Sequence, residues 1–339
     1  MATKSFEQSV TSGEPGFNPS QLRVSTRVVT AHAGTPMNLT ALFNNMGRVF
    51  IPLWWPGEGI LKMEHESMIF GSALKDAFSK RRVSEKTFFN QSTLVVRKRI
   101  TVDAVKYKDI TADSMVFKEV NVKLFANGGM QMTGVPEEGF AETVGHWLLE
   151  QLWAFQKAEG IPIFTEQPSL QKFSTQLINS DYDIGYNVKR ESVHQILSRV
   201  YGLFSTFEGT IYQGVNTKYY YNENNMDPEK EGQCTCPNPL KCKGQGSGVG
   251  DFQCKRITMS IFQTGKIIIT GARYFHQIEA AYRFLNRIFA DHADEVLRKP
   301  VALAPLVPPV VEDECTELKK VATPKKARKT RVRKISLTP

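Results

Sequence analysis

Apolar and polar residues follow two periods along this chain. From Val24 to Thr30, and again from Phe173 to Asn179, apolar side chains alternate with polar ones, as in half-buried strands. A helical pattern follows each strand. Asn38 reads as the N-cap before Leu39, Leu42 and Phe43, and Val193, Ile196, Leu197 and Val200 make an apolar stripe in the second case. Thr93 to Arg97 and Thr210 to Tyr221 are rich in β-branched and aromatic residues, which predicts further strands. The stretches Val122 to Val135 and Met259 to Ala272 each read strand, tight turn at glycine, strand. Helical patterns over Glu137 to Phe155 and Tyr274 to Phe289 come next, the second with Ile278, Ala281, Tyr282, Leu285 and Ile288 on one face.

The two hairpins match position by position. Phe125 aligns with Phe262, Gly128 with Gly265, Thr133 with Thr270 and Gly134 with Gly271. The order strand, helix, several antiparallel strands, long helix therefore occurs twice, which predicts an α+β fold built from a duplicated unit. Residues 21–160 form the first repeat, with an insertion over about 47–86, and residues 161–295 the second, with a cysteine-containing insertion over about 222–255. Residues 1–20 and the Pro-rich, then acidic, then basic tail 296–339 carry no strand or helix period and are expected to be disordered.

Composition narrows the function classes. No apolar run reaches the length of a membrane helix, and Met1 to Ser20 lacks the basic start and apolar segment of a signal peptide, so the expectation is a soluble intracellular protein. The net charge is +9, yet nine Lys and Arg lie between Lys319 and Lys334 with no acid among them. The body is therefore close to neutral. The tail reads either as a nucleic-acid-binding arm or as a solubilising or nuclear-targeting segment. Of five cysteines, Cys234, Cys236, Cys242 and Cys254 cluster with the spacing C-x-C-x5-C-x11-C. Four thiolates can close a structural zinc site, and unliganded loop thiols are the alternative reading. Cys315 stands apart as a free thiol. The six His are scattered, no nucleophile–base motif is present, and Gly244 to Gly250 reads as linker, so no enzyme is expected and no cofactor is required.

The stretch Ile261 to Ala272 reads apolar, Phe, two polar residues, Gly-Lys, three apolar residues, Thr-Gly-Ala. It resembles the hairpin signature of the TATA-box-binding protein family. Val28 to Gly34 with Met37 to Leu39 resembles that family's first strand and helix entry, and Phe207 to Tyr212 its stirrup segment. The similarity runs from about Gln21 to Ala290, and is strongest to the diverged TATA-binding-like proteins of large DNA viruses. It implies a saddle: two pseudo-symmetric halves share one curved antiparallel sheet, with helices on the convex side and the concave face on the DNA minor groove.

The resemblance also implies roles. Phe89, Phe125, Phe207 and Phe262 would intercalate as wedges, with Phe88 competing for the place of Phe89; a core phenylalanine is the alternative at each position. Thr26, Val28, Gln131, Thr133, Thr175, Leu177, Ile268 and Thr270 would line the minor groove. Arg97, Lys98, Arg99, Lys123, Lys266 and Arg273 are candidates for phosphate contacts, or else solvated surface charges. Thr26 and Thr175 stand where the family has Asn, Gly129 where it has Lys, and Gln131 where it has an apolar residue. The expected function is a transcription initiation factor that binds and bends double-stranded, AT-rich DNA at promoters. General transcription factors or RNA polymerase would be its partners, in the nucleus or a cytoplasmic viral replication compartment. The competing readings are an architectural DNA-bending protein without promoter choice, and a protein-interaction scaffold whose basic tail alone meets nucleic acid.

Overall fold

A computed structural model of the chain describes residues 18–78, 90–100, 116–250 and 252–298. Most of the two terminal segments expected to be disordered, together with Phe88, Phe89 and Cys315, lies outside these residues. The strands are β1 (Arg23–His32), β2 (Gly59–His65), β3 (Met68–Gly71), β4 (Gln91–Ile100), β5 (Val116–Phe125), β6 (Gly129–Val135), β7 (Gln171–Asp183), β8 (Phe204–Glu208), β9 (Tyr212–Tyr221), β10 (Lys255–Ile261) and β11 (Lys266–Ala272). The helices are α1 (Leu39–Asn44), α2 (Leu74–Phe78), α3 (Phe140–Glu159), α4 (Arg190–Gln195), α5 (Phe275–Asp291) and α6 (Ala293–Val296).

All the strands form one 11-stranded sheet in the order β3-β2-β4-β5-β6-β1-β7-β11-β10-β9-β8, and every strand pairing in it is antiparallel. The order reads outward from the β1–β7 pair in matching steps: β6 and β11, β5 and β10, β4 and β9, β2 and β8, with β3 extra. The segment expected as an insertion over 47–86 thus supplies β2 and β3 to the sheet.

Two apolar cores lie on the helix-covered face. One gathers Val29, Leu94, Val122, Leu124, Met130 and Met132 under Leu148 and Leu152 of α3; the other gathers Ile257, Met259, Ile267 and Ile269 under Ile278, Leu285 and Phe289 of α5. Burying each such side chain contributes roughly 1.5–3 kcal/mol. The expected stripe on α5 is buried at Ile278, Ala281, Leu285 and Ile288. The stripe after Lys189 is shorter than its pattern predicted. Val193, Ile196 and Leu197 are buried, but Val200 is 64% exposed. The chain widens there into a π-helical turn over Ile196–Val200, with Tyr201 N donating to Ile196 O at 3.2 Å. A wider turn moves the fourth residue off the buried face.

The hairpin turns are anchored by the same bonds in both halves. Ala33 N donates to Gly128 O (2.8 Å) and Met37 N to Ala126 O (2.9 Å); Ile184 N donates to Gly265 O (3.1 Å) and Val188 N to Gln263 O (2.8 Å). Gly128 (φ 92) and Gly265 (φ 84) take the left-handed conformation. A Cβ at Gly128 would lie 2.3 Å from Thr35 O, and one at Gly265 would lie 2.2 Å from Tyr186 O. Only glycine fits either turn.

Candidate functional site

Strand alternation places a second set of side chains on the face away from the two helix-side cores. At its centre Val28 of β1 pairs with Thr133 of β6 and with Leu177 of β7. Thr26 pairs with Asn179, and Asn179 with Thr270. Thr133 continues the row to Asn121 of β5; Thr270 continues it to Thr258 of β10 and then Lys218 of β9. Thr175 pairs with Val29 beside a register shift, and Gln131 lies between Thr30 and Lys123. All eight groove-lining candidates are half-buried, apart from Ile268, which is 37% exposed. Asn179, missed in the sequence, puts an amide between Thr26 and Thr270; period-two counting from Leu177 could have found it.

The aromatic candidates separate. Phe125 ends β5 one residue after buried Leu124, and Phe262 follows buried Ile261, so both leave the sheet on the open side. Phe262 lies edge-on to Tyr212, with centroids 5.9 Å apart, and lines a cavity with Ile268, Lys266 and Asp181. Phe207 packs instead against the second core, with the Arg190 guanidinium 4.9 Å from its ring centroid. Phe204, 63% exposed, pairs with Lys218 and extends the open face to its edge. Phe204 and Tyr212 thus add two aromatic side chains near Phe262 and the edge of this face.

The cationic candidates separate too. The Arg97 guanidinium donates to the carbonyls of Leu53 (3.0 Å), Gly57 (2.9 Å) and Trp55, and sits 5.8 Å from the Phe117 ring centroid. Lys98 pairs with Glu58 and lies over Trp147 on the helix side. These two cations hold a loop in place. Arg99 is exposed beside them, with its backbone N–H on Glu58. Lys123 and Lys266 lie on the open face, and Arg273 reaches Gln176 at 3.4 Å while Gln176 donates to Thr30 Oγ1 at 2.9 Å. Lys218 donates to Thr258 Oγ1 at 3.0 Å; burial and the nearby Arg256 hold its ammonium below the usual lysine range. Two cations kept close in this way favour an anion beside them.

The two halves of this face are not alike. Leu61, Ala73 and Val95 form a third small apolar cluster with Ile51 and Leu53. Val95, Arg97 and Glu119 alternate with residues of the first core, so they point away from α3. Leu74 N donates to the Glu119 carboxylate (3.1 and 3.2 Å), and Lys62 pairs with Glu64 (2.7 Å) and Asp76 (3.1 Å). The loop after Ile51 and the helix α2 therefore roof β2, β4 and the outer end of β5. No such roof lies over β8–β10 among the described residues.

The four clustered cysteines meet at the far end of the β9–β10 pair. Their Sγ atoms all lie within 4.8 Å of one another, with Cys236 to Cys254 at 3.4 Å, Cys236 to Cys242 at 3.6 Å and Cys234 to Cys254 at 3.8 Å. Burial pushes the Cys234 thiol well above the usual range. No helix among the described residues is long and apolar enough to cross a membrane.

No family model matches the chain. A protein of Acanthamoeba polyphaga mimivirus described as TATA-box-binding protein-like is 26% identical over 232 residues. That match covers 66% of this chain and 53% of the viral protein, so the chain spans about half the length of that relative. Among solved structures, Methanococcus jannaschii TBP aligns over 81% of this chain and 99% of its own, at 17% identity and a TM-score of 0.38. In sequence, then, the chain is similar to a viral TATA-box-binding protein-like protein.

Proposed function

We propose that the open face of the sheet binds the minor groove of double-stranded DNA and bends it, as a TATA-box-binding-like initiation factor does. The observation that carries this reading is the matched placement of Phe125 with Thr133 and of Phe262 with Thr270, on either side of the Val28–Leu177 pair. In this reading the halves are pseudo-symmetric repeats of a saddle. Phe125 and Phe262 push between base pairs at the two ends of the contact; unstacking costs a few kcal/mol per step, offset by contact with the widened groove. TATA-binding protein is itself the standard case of such wedges, so that magnitude belongs to the family and not to this chain. Thr133 and Thr270 offer hydroxyls to base acceptors, and Val28 and Leu177 lie against the groove floor. Lys123, Lys266, Arg273, Lys218 and Arg256 face phosphates. Phe207 joins as a wedge only by leaving Arg190. The roof over β2 and β4 makes the contact longer on the second half than on the first. The DNA would be AT-rich promoter DNA in the nucleus or a viral replication compartment, and general transcription factors or RNA polymerase would meet the remaining surface.

A second reading keeps the bend and drops the promoter choice. Thr26 and Thr175, in place of the family's Asn, favour it. Equal affinity for AT-rich and GC-rich duplexes would select it. The bend is tested by fluorescence energy transfer across an end-labelled AT-rich duplex, using the full chain and its Phe125→Ala and Phe262→Ala variants. A shortened end-to-end distance that each variant relaxes supports the proposal. Unchanged DNA geometry with the intact protein sinks it.

A further inference from the structure

We propose that Cys234, Cys236, Cys242 and Cys254 bind one zinc ion as four thiolates, closing a structural site that ties the β9–β10 insertion together and to the start of β10. At a Zn–S length of about 2.3 Å, sulfurs at the corners of a tetrahedron stand about 3.8 Å apart. The sulfur separations of 3.4, 3.6 and 3.8 Å come close to that figure. Four soft sulfurs in a tetrahedron suit zinc better than magnesium, calcium or manganese, and leave no open position for catalysis.

Hydrogen-bond donors are aimed at the sulfurs. Gly244 N donates to Cys242 Sγ and Cys254 N donates to Cys236 Sγ, both at 3.4 Å, and Asn222 Nδ2 approaches Cys254 Sγ at 3.9 Å. Donors aimed at ligand sulfur orient it and stabilise the thiolate. Lys241 and Lys243 flank Cys242, and Lys255 follows Cys254. Binding breaks four S–H bonds, forms four Zn–S bonds and releases four protons. The centre then carries two negative charges, beside which these three lysines stand in sequence.

The insertion also lacks an apolar core of its own. Between Asn222 and Cys254 the one buried apolar side chain among the described residues is Cys254 itself. A loop of this length without a core is held by metal or by bonds to its neighbours. Bonds to neighbours are in place along it: Tyr220 N donates to Gly232 O at 2.8 Å, Gln233 Nε2 to Tyr201 O at 3.0 Å and Arg256 N to Gly244 O at 2.9 Å, and Gln277, fully buried in the first turn of α5, donates to Ser247 O at 2.6 Å. Its Oε1 accepts from Arg273 N (3.0 Å) and Tyr274 N (3.3 Å). The cysteine centre therefore fixes the loop that packs on the entry of α5, next to Arg273.

The test uses the full chain with Cys315→Ser, so that only the clustered thiols count. Native mass spectrometry after zinc-saturated dialysis should show one zinc per chain, and addition of zinc to the reduced apoprotein should release close to four protons per ion. Cobalt(II) should give the intense visible bands of a tetrahedral site with sulfur-to-metal charge transfer in the near ultraviolet. Cys236→Ser should weaken zinc binding by about a hundredfold or more. Should Cys236→Ser fail to fold, Cys242→His keeps four ligands and should retain the ion with a shifted cobalt spectrum. A metal-free chain after dialysis, an octahedral cobalt spectrum, or a Cys236–Cys254 disulfide in the zinc-treated protein would each overturn the assignment.

Discussion

Val28 and Leu177 face each other across the β1–β7 pair, at the seam where the two halves of the sheet join. Both are half-buried on the face that the helices leave open. Two apolar side chains at this seam ask for no hydrogen bond, so they suit a groove floor without the guanine amino group. Leu177→Glu would set a carboxylate against that floor. DNA affinity measured by anisotropy should drop at least tenfold, while circular dichroism keeps its shape because the position is only half-buried.

The rings of Phe125 and Phe262 should act alike on DNA and differently from Phe207. Phe262→Ala should reduce the bend and cost about 1–3 kcal/mol of binding, the scale of one aromatic ring stacked against a base. Phe207→Ala should act first on stability, because its ring lies against the second core and under Arg190. Urea unfolding alongside the bending assay separates the two. A larger binding loss for Phe207→Ala than for Phe262→Ala would reverse the assignment of wedges.

Two cations in equivalent strands should give opposite phenotypes. Lys218 of β9 lies on the uncovered half, whereas Arg97 of β4 is bound to the roof carbonyls. Lys218→Ala should weaken binding across all sequences and lower the salt slope by about one, with little loss of stability. Arg97→Ala strands the carbonyls of Leu53 and Gly57 and should cost about 1–3 kcal/mol of folding. Its salt slope should stay the same. A changed slope for Arg97→Ala would place phosphate against the roofed half.

That the chain folds as an antiparallel sheet covered by helices was legible because strand and helix periods are clear along the sequence. Phe125, Phe262, Thr133 and Thr270 fall on one face by counting in twos, since the β5–β6 and β10–β11 pairs carry no register shift. Three things were hidden. The roof depends on contacts such as Leu74 to Glu119, which join residues 45 positions apart and leave no local pattern. Arg97 looked like any exposed strand cation until its carbonyl partners were in view. Val200 fitted an α-helical stripe, and only the change to a π-helical turn exposed it. The cysteine spacing suggested four ligands, but whether their sulfurs converge is a property of the folded loop.

Gly265 gives the sharpest test of why the hairpin sequence is what it is. At φ 84 any other residue is strained, and a Cβ would stand 2.2 Å from the Tyr186 carbonyl, which is backbone and cannot swing aside. The turn also accepts the bond from Ile184 N that ties β7 to the hairpin. Gly265→Ala should therefore cost more than the roughly 1 kcal/mol of left-handed strain alone, on the order of 3 kcal/mol, in urea unfolding. Gly209→Ala is the control: its added Cβ meets only the edge of the Phe207 ring at 3.6 Å, an ordinary contact, so the change should stay within about 0.5 kcal/mol. Because Phe262 lies three residues before Gly265, the Gly265→Ala protein should also lose DNA bending under conditions where it is still folded. Gly128→Ala should do the same to the wedge at Phe125. Equal stability of Gly265→Ala and Gly209→Ala would mean that the turn tolerates a side chain, and that the glycine has no part in aiming Phe262.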